Sequence, residues 1–254
     1  QQTTAFHEIF PGQPAPQGFI DFNAWYAPAP ATEPDVILRI EDPVQMTYTS
    51  GTESRPKGVI ISNQALIAEY MGCIIDGKYD HADININALP IYHCAQRDVF
   101  LNPIFWVGGT NVLISPDIGK ILSAIESWKA TMFFAPPTVW IGMLRHPDFG
   151  KYDLSSLVKC YYGASIMPRE ILRELLEKFP RAGVYNYYGQ TELAPYHCIL
   201  KAEDAQAKIG SAGMAGIHME TRIEDEHGEE ISAVDVPGEI CGRGPHVMTM
   251  YFKD

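Results

Sequence analysis

The sequence predicts an α/β fold: a mostly parallel, helix-covered sheet with a small all-β subdomain at its C-terminal end. Three observations predict it. From Val59 to Tyr187, short β-branched or aromatic runs alternate with stretches whose apolar residues recur at helical spacing. Gly and Pro punctuate the changes between them, as at Pro136-Pro137 and Pro168. After about residue 200 the helical spacing stops, and short strand-like runs separated by turns take over.

Taken in order, residues 1–43 hold seven prolines, from Pro11 to Pro43, which exclude long helices and predict a strap across the domain surface. Within it, Phe19 to Ala27 has room for one short helix, and Val36 to Ile40 has strand character. Residues 44–200 form the α/β part. Val44 to Tyr48 and Val59 to Ile61 read as strands flanking a polar loop, and Ser62 or Asn63 caps a helix with Leu66, Ile67, Tyr70 and Met71 on one face. Strands follow at Asn85 to Leu89, Thr110 to Ile114, Thr131 to Ala135, Val158 to Tyr162 and Gly183 to Tyr187. Between them, helical patterns run over Arg97 to Trp106, from Ile118 to Trp128, from Pro136-Pro137 through Met143 and Leu144, and from Pro168 to Phe179. Such βαβ alternation makes a parallel sheet, whose ligands sit beyond the carboxyl ends of the strands. Residues 201–254 carry strand candidates at His218 to Ile223, Glu230 to Ala233 and Gly238 to Gly242, and read as a small barrel-like subdomain.

Composition narrows the function classes. Forty-six per cent hydrophobic and 11% aromatic residues suit a globular core, while a net charge of -12 argues against a nucleic-acid partner, which would call for a basic face. Five scattered cysteines with no C-x-x-C pair suit a reducing, cytoplasmic setting. There is no apolar run of membrane-spanning length and no signal-peptide pattern at the start, and the chain begins without Met, as an excised piece would. The eight histidines show no zinc-binding spacing.

The loop between the first two strands concentrates chemistry. Thr49, Ser50, Thr52 and Ser54 offer hydroxyls, Gly51 lets backbone N–H groups approach an anion, and Lys57 adds a point charge, so Tyr48 to Gly58 has the make-up of a phosphate cradle. A polar hairpin tip has the same residue types. The loop joins strand to strand and lacks G-x-x-x-x-G-K-[ST], which excludes an ordinary P-loop. A second cluster, Asn186-Tyr187-Tyr188-Gly189-Gln190-Thr191-Glu192, falls where a strand ends, on the ligand-binding side of a parallel sheet.

Together these runs resemble the adenylate-forming superfamily of acyl-CoA synthetases, peptide-synthetase adenylation domains and luciferases. The loop resembles its signature [Y/F]-T-S-G-[ST]-T-G-x-P-K-G, with Glu53-Ser54 in place of Thr-Gly. Its Thr-Glu-Ser-Arg centre is most similar to bacterial fatty-acid CoA ligases. The second cluster resembles the adenine motif N-x-Y-G-x-T-E. The resemblance implies that Tyr188 stacks on adenine, Asn186 lies near the base's amino edge, Thr191 bonds the α-phosphate and Glu192 holds Mg2+, with Tyr187, Gly189 and Gln190 in the same nucleotide site. Gly163-Ala164-Ser165 resembles the opposite wall of the adenine slot. Pro90-Ile91-Tyr92-His93 resembles the motif bordering the acyl pocket, which makes His93 the candidate for positioning the carboxylate. Pro237 to Pro245 and Tyr251 to Asp254 resemble the family's P-G-E-[IL]-x-x-[RK]-G-P and G-Y-[WFY]-x-[ND] runs.

By this resemblance the chain is the central piece of the family's large N-terminal domain, without the preceding segment and the C-terminal lid. The implied reaction activates a medium- or long-chain fatty acid with ATP and passes the acyl group to coenzyme A, through Thr52, Lys57, His93 and Glu192; the piece alone is expected to be inactive. The partners are then small molecules, and a homodimer is left open. An aryl or amino-acid adenylating enzyme is the alternative within the family, and a non-catalytic nucleotide- or acyl-binding module the alternative outside it.

Overall fold

The computed structural model describes residues 6–7, 20–49 and 56–253, so Ser50, Gly51 and Thr52 of the expected phosphate loop lie outside the described residues. The chain divides into two compact units, residues 1–38 and 39–254. In the first, β1 (Phe6–His7) pairs in parallel with β2 (Ile20–Asp21), and α1 (Phe22–Tyr26) follows, with Asp21 Oδ1 accepting the Ala24 N–H at 2.7 Å. The strand expected at Val36 to Ile40 does not form. Val36, Ile37, Leu38 and Ile40 are all exposed, Ile37 at 90%, and a strand needs a neighbour to take its backbone groups.

The second unit is built on a seven-stranded sheet. Its elements in chain order are β3 (Pro43–Tyr48), β4 (Gly58–Ser62), α2 (Asn63–Gly77), β5 (Ile84–Asn87), a widened helix (Ala95–Leu101) running into α3 (Asn102–Trp106), and β6 (Thr110–Leu113). Then come α4 (Ile118–Trp128), β7 (Met132–Phe134), α5 (Pro137–Leu144), β8 (Lys159–Gly163), α6 (Arg169–Lys178), β9 (Gly183–Gly189), β10 (Tyr196–Leu200) and β11 (Met214–Ala215). The strand order is β11-β10-β9-β8-β7-β5-β6. β6, β5, β7, β8 and β9 run parallel, and β10 and β11 close the edge antiparallel.

The period-2 alternation of the strands sorts side chains to two helical layers. Ile86, Phe133, Cys160, Tyr162 and Val184 pack in one cluster with Ile121, Leu122, Trp140, Leu172 and Leu175 of α4, α5 and α6. Phe134, Tyr161, Tyr185 and Tyr187 pack on the other side with Cys73, Val99, Phe100 and Ile104. Phe100 stacks on Phe134 with ring centroids 4.3 Å apart.

The face of α2 differs from expectation. Ser62 caps it as expected, its Oγ accepting the Ala65 N–H, but the buried positions include Glu69, Cys73 and Asp76, while Met71 is 44% exposed. Asp76 is tolerated there because Tyr196 OH, the Ile217 N–H and Lys201 Nζ all reach its carboxylate. Burial, followed by the nearby Asp98 charge, pushes the Glu69 carboxyl well above the ordinary carboxylate range.

Past residue 200 the strands join three sheets. β11 extends the large sheet; β12 (Glu220–Glu224) and β13 (Glu239–Arg243) pair antiparallel; and β14 (Met250–Tyr251) adds to β4, giving a sheet of order β14-β4-β3. The stretch expected as a strand at Glu230 to Ala233 makes only a single bridge, Glu230 to Glu224.

His246 is packed completely inside this region, its Nδ1 3.2 Å from the Tyr196 carbonyl. Burial pushes its pKa down to about 4, helped by His218 and His197 nearby. The unfolded chain titrates near 6.5, so it takes up a proton that the fold refuses. Stability is therefore fully present above pH 6.5, falls by about 3 kcal/mol as pH drops toward 4, and is flat below that from this group. In denaturation at pH 7 and pH 4.5, His246→Asn, which keeps a donor for Tyr196, is expected to show less of this loss than the wild type.

Candidate functional site

The site gathers where β5, β8 and β9 end and where β3 and β4 turn. β3 and β4 pair antiparallel, and the mouth of their loop is closed by Thr49 N–H to Lys57 C=O at 2.9 Å and Lys57 N–H to Thr49 Oγ1 at 3.3 Å. The loop thus joins strand to strand, as the sequence implies. Lys57 is exposed, and its Nζ lies 4.5 Å from the centroid of the Tyr251 ring.

Across from it, a short 3-10 turn (Thr191–Leu193) follows β9. Tyr251 OH donates to Glu192 Oε1 at 2.8 Å, and the Met248 N–H donates to the Glu192 carbonyl. Lys57 and Glu192, distant in sequence, thus both contact Tyr251. A half-buried carboxylate held by one oxygen is a donor that suits Mg2+, which takes one or two carboxylates and completes its shell with phosphates and water. Among the described residues no group of three or more His, Cys, Asp or Glu is placed to cage a metal.

The segment after β5 meets the same turn. Cys94 Sγ is 3.6 Å from Thr191 Oγ1, and burial pushes the Cys94 thiol up. His93 is exposed, and its Nδ1 accepts the Ala95 N–H at 3.2 Å, which leaves Nε2 to carry the proton of the neutral ring.

β9 alternates across the site. Tyr188 is 37% exposed, its ring tilted over His197 with centroids 6.0 Å apart. Tyr187 points the other way. Its ring is buried among aromatic residues and its hydroxyl lies 3.2 Å from Tyr79 OH, so this side chain belongs to the core. Asn186 is half-buried and donates from Nδ2 to the Ser211 carbonyl at 3.1 Å, so its amide N–H₂ is engaged by the protein. Gln190 is exposed, with its backbone N–H on the Pro195 carbonyl.

Beside Tyr187, Gly163 ends β8; a Cβ there would lie 2.5 Å from the Tyr187 carbonyl oxygen, so only glycine allows the strands this approach. Ala164 follows with φ 64°, a left-handed conformation that aims the exposed Ala164 and Ser165 away from the strand.

A polar knot that the sequence did not announce ties these parts together. The carboxylate of Asp98, fully buried, accepts from Arg97 Nε at 3.0 Å and Nη2 at 2.9 Å, from Gln45 Nε2 at 2.9 Å and from Asn102 Nδ2 at 3.3 Å. Arg97 Nη2 also donates to Thr47 Oγ1 at 3.0 Å, which links the widened helix to the strand that enters the β3–β4 loop. The helix is wide here because the Asn102 N–H bonds the Arg97 carbonyl five residues back, a device frequent at functional sites. Arg97 and Asp98 look like ordinary helix-surface charges in sequence, and only the strand contact reveals them.

The AMP-binding enzyme family matches residues 7–252. The chain belongs to this family. The AMP-binding domain is 32% identical over 243 residues to an indoleacetate–CoA ligase of Aromatoleum aromaticum, covering 94% of this chain and 47% of that protein. It is 30% identical over 226 residues to the mitochondrial medium-chain acyl-CoA ligase ACSF2 of Rattus norvegicus, covering 85% of this chain and 36% of that one. Among solved structures, the N-terminal domain of FACL13 from Mycobacterium tuberculosis superposes with a TM-score of 0.82 at 24% identity, over 90% of this chain and 56% of that one, which shows the fold. The AMP-binding domain spans less than half the length of these two curated relatives. No helix among its described residues is long and apolar enough to cross a membrane.

Proposed function

We propose that this domain forms the adenylate-binding part of an ATP-dependent acid–CoA ligase whose acid is a medium- or long-chain fatty acid. The observation that carries the reading is the meeting, at the carboxyl end of a parallel sheet, of Lys57 at the loop's base with the Thr191–Glu192 turn through Tyr251. In the proposed reaction the acid's carboxylate attacks the α-phosphorus of ATP, pyrophosphate leaves, and the thiol of coenzyme A then displaces AMP from the mixed anhydride. Lys57 offsets charge on the pyrophosphate side, Thr191 donates to the α-phosphate, Tyr188 offers its exposed face to the base, and His93 orients the carboxylate. Ser50, Gly51 and Thr52 complete the phosphate cradle in this proposal, and Gly163, Ala164 and Ser165 the far side of the base slot. When bound, Mg2+ supplies further charge neutralisation on the phosphates, and Glu192 is the residue to hold it.

The fatty-acid assignment rests on the Thr-Glu-Ser-Arg centre of the loop and on the likeness to a medium-chain acyl-CoA ligase. An aryl acid is the second reading, favoured by the likeness to an indoleacetate–CoA ligase. Titration calorimetry of the chain with non-reactive fatty-acyl and arylacetyl adenylate analogues, beside AMP, separates them. The fatty-acyl analogue is expected to bind at least about tenfold tighter than AMP, equivalent to 1.4 kcal/mol. Tighter binding of the aryl analogue would overturn the fatty assignment, and equal binding of all three would mark a nucleotide-binding module.

Two variants test the residue roles. Lys57→Ala is expected to weaken ATP more than AMP, and Tyr188→Ala to weaken both, by about 1–3 kcal/mol for loss of an aromatic platform. Equal losses of ATP and AMP in Lys57→Ala would remove Lys57 from the pyrophosphate side.

A further inference from the structure

We infer that Tyr251 is a positioning residue that presets Lys57 and Glu192 for a Mg2+-bound nucleoside triphosphate, an inference that rests on the roles proposed above for those two residues. Three features of its surroundings converge. β14 places Tyr251 opposite Val59 of β4, two residues after Lys57, which enters that strand from the loop. The Lys57 ammonium lies over its ring at 4.5 Å, within cation–π range. Its hydroxyl donates to Glu192 Oε1 at 2.8 Å.

One side chain therefore holds a cation with its face and an anion with its tip. The donation to Oε1 fixes the carboxylate's rotation and directs one oxygen, leaving the other as the oxygen a divalent cation would take. The ring holds the ammonium near the loop base by its face, a contact that uses none of the three N–H donors in a hydrogen bond. A direct Lys57–Glu192 ion pair would cancel the two charges against each other. With Tyr251 between them, both are held near the site and each remains available to a ligand.

The backbone supports this placement on both sides. The Thr249 N–H bonds Ile60 C=O, the Phe252 N–H bonds Gly58 C=O, and the Met248 N–H bonds Glu192 C=O. The strand that carries Tyr251 is thus stitched to the loop's second strand and to the turn that carries Glu192.

The test is calorimetry on the chain with AMP, with ATP in the absence of divalent cations, and with ATP plus Mg2+. Tyr251→Phe keeps the ring and loses only the hydroxyl; it is expected to weaken Mg2+–ATP about tenfold, the scale of one hydrogen bond to a charged group, with AMP within about twofold. Tyr251→Leu also loses the ring, and is expected to weaken metal-free ATP about two- to fivefold in addition. In a double-mutant cycle, Tyr251→Phe is expected to add little once Glu192→Gln is present, which a general structural effect would not produce. Unchanged Mg2+–ATP binding in Tyr251→Phe, with Lys57→Ala and Glu192→Gln both impaired, would overturn this inference alone. If neither Lys57→Ala nor Glu192→Gln alters ATP binding, the proposed roles fall and this inference falls with them.

Discussion

Replacing Asp98 by Ala is expected to cost about 3–5 kcal/mol, the range for breaking a buried charge pair by removing one partner. The Asp98 side chain is fully buried and accepts from Arg97, Gln45 and Asn102, with Tyr70 OH at 3.5 Å. Alanine leaves those donors without their acceptor, and Arg97, only 26% exposed, keeps its charge partly inside. Asp98→Asn retains one acceptor oxygen and is expected to fall between the two. Urea denaturation of the three proteins measures this, and a loss under about 1 kcal/mol for Asp98→Ala would mean that the knot relaxes into water. Because Arg97 also bonds Thr47, the same variant is expected to loosen the strand entering the phosphate loop, seen as faster amide exchange in β3 than in β8.

Gly189→Ala is expected to be at least as damaging, at about 4 kcal/mol or more. A Cβ at this position would lie 1.7 Å from the Pro195 carbonyl oxygen, 2.8 Å from its carbon and 3.2 Å from the His197 nitrogen. All three atoms are backbone, so no rotamer change makes room. The chain must part where β9 meets β10, and the bond from the Gln190 N–H to the Pro195 carbonyl is lost with it. Tyr188 and Thr191 flank the disturbed turn, so nucleotide binding should fall alongside thermal stability. Gly150→Ala is the control, since a Cβ there meets nothing within 4 Å, and its effect should stay within about 0.5 kcal/mol. A Gly189→Ala protein as stable as Gly150→Ala would contradict the close approach.

What could be read in the sequence was local and periodic. Each helix and strand from β5 to β9 follows from a run of residues that are neighbours in the chain, and Ser62 announces its helix by the hydroxyl it offers to the third residue on. The motif at the end of β9 was legible because strand ends in a parallel sheet have a known address. What was missed depended on partners. Val36 to Ile40 has the composition of a strand but no neighbouring strand among the described residues, and composition does not report neighbours. Asp76 looks like the wet side of α2 until Lys201, Tyr196 and Ile217 arrive from more than a hundred residues away. Tyr187 and Tyr188 are the same residue type side by side, and only the direction of the sheet's pleat assigns one to the core and the other to the crevice.

The sheet β14-β4-β3 has a consequence for how the protein is made. Ile60 finds Met46 through a short loop, but its second neighbour is Met250. A ribosome must deliver almost everything in between before that edge can be covered. During synthesis the β3–β4 hairpin is therefore a two-stranded ribbon with an open side, marginal by itself and available to foreign strands. Pairings of such long sequence separation are late and slow to form. Refolding should recover the β5–β9 amides first and those of Val59 and Ile60 last, once Met250 and Tyr251 have paired with β4.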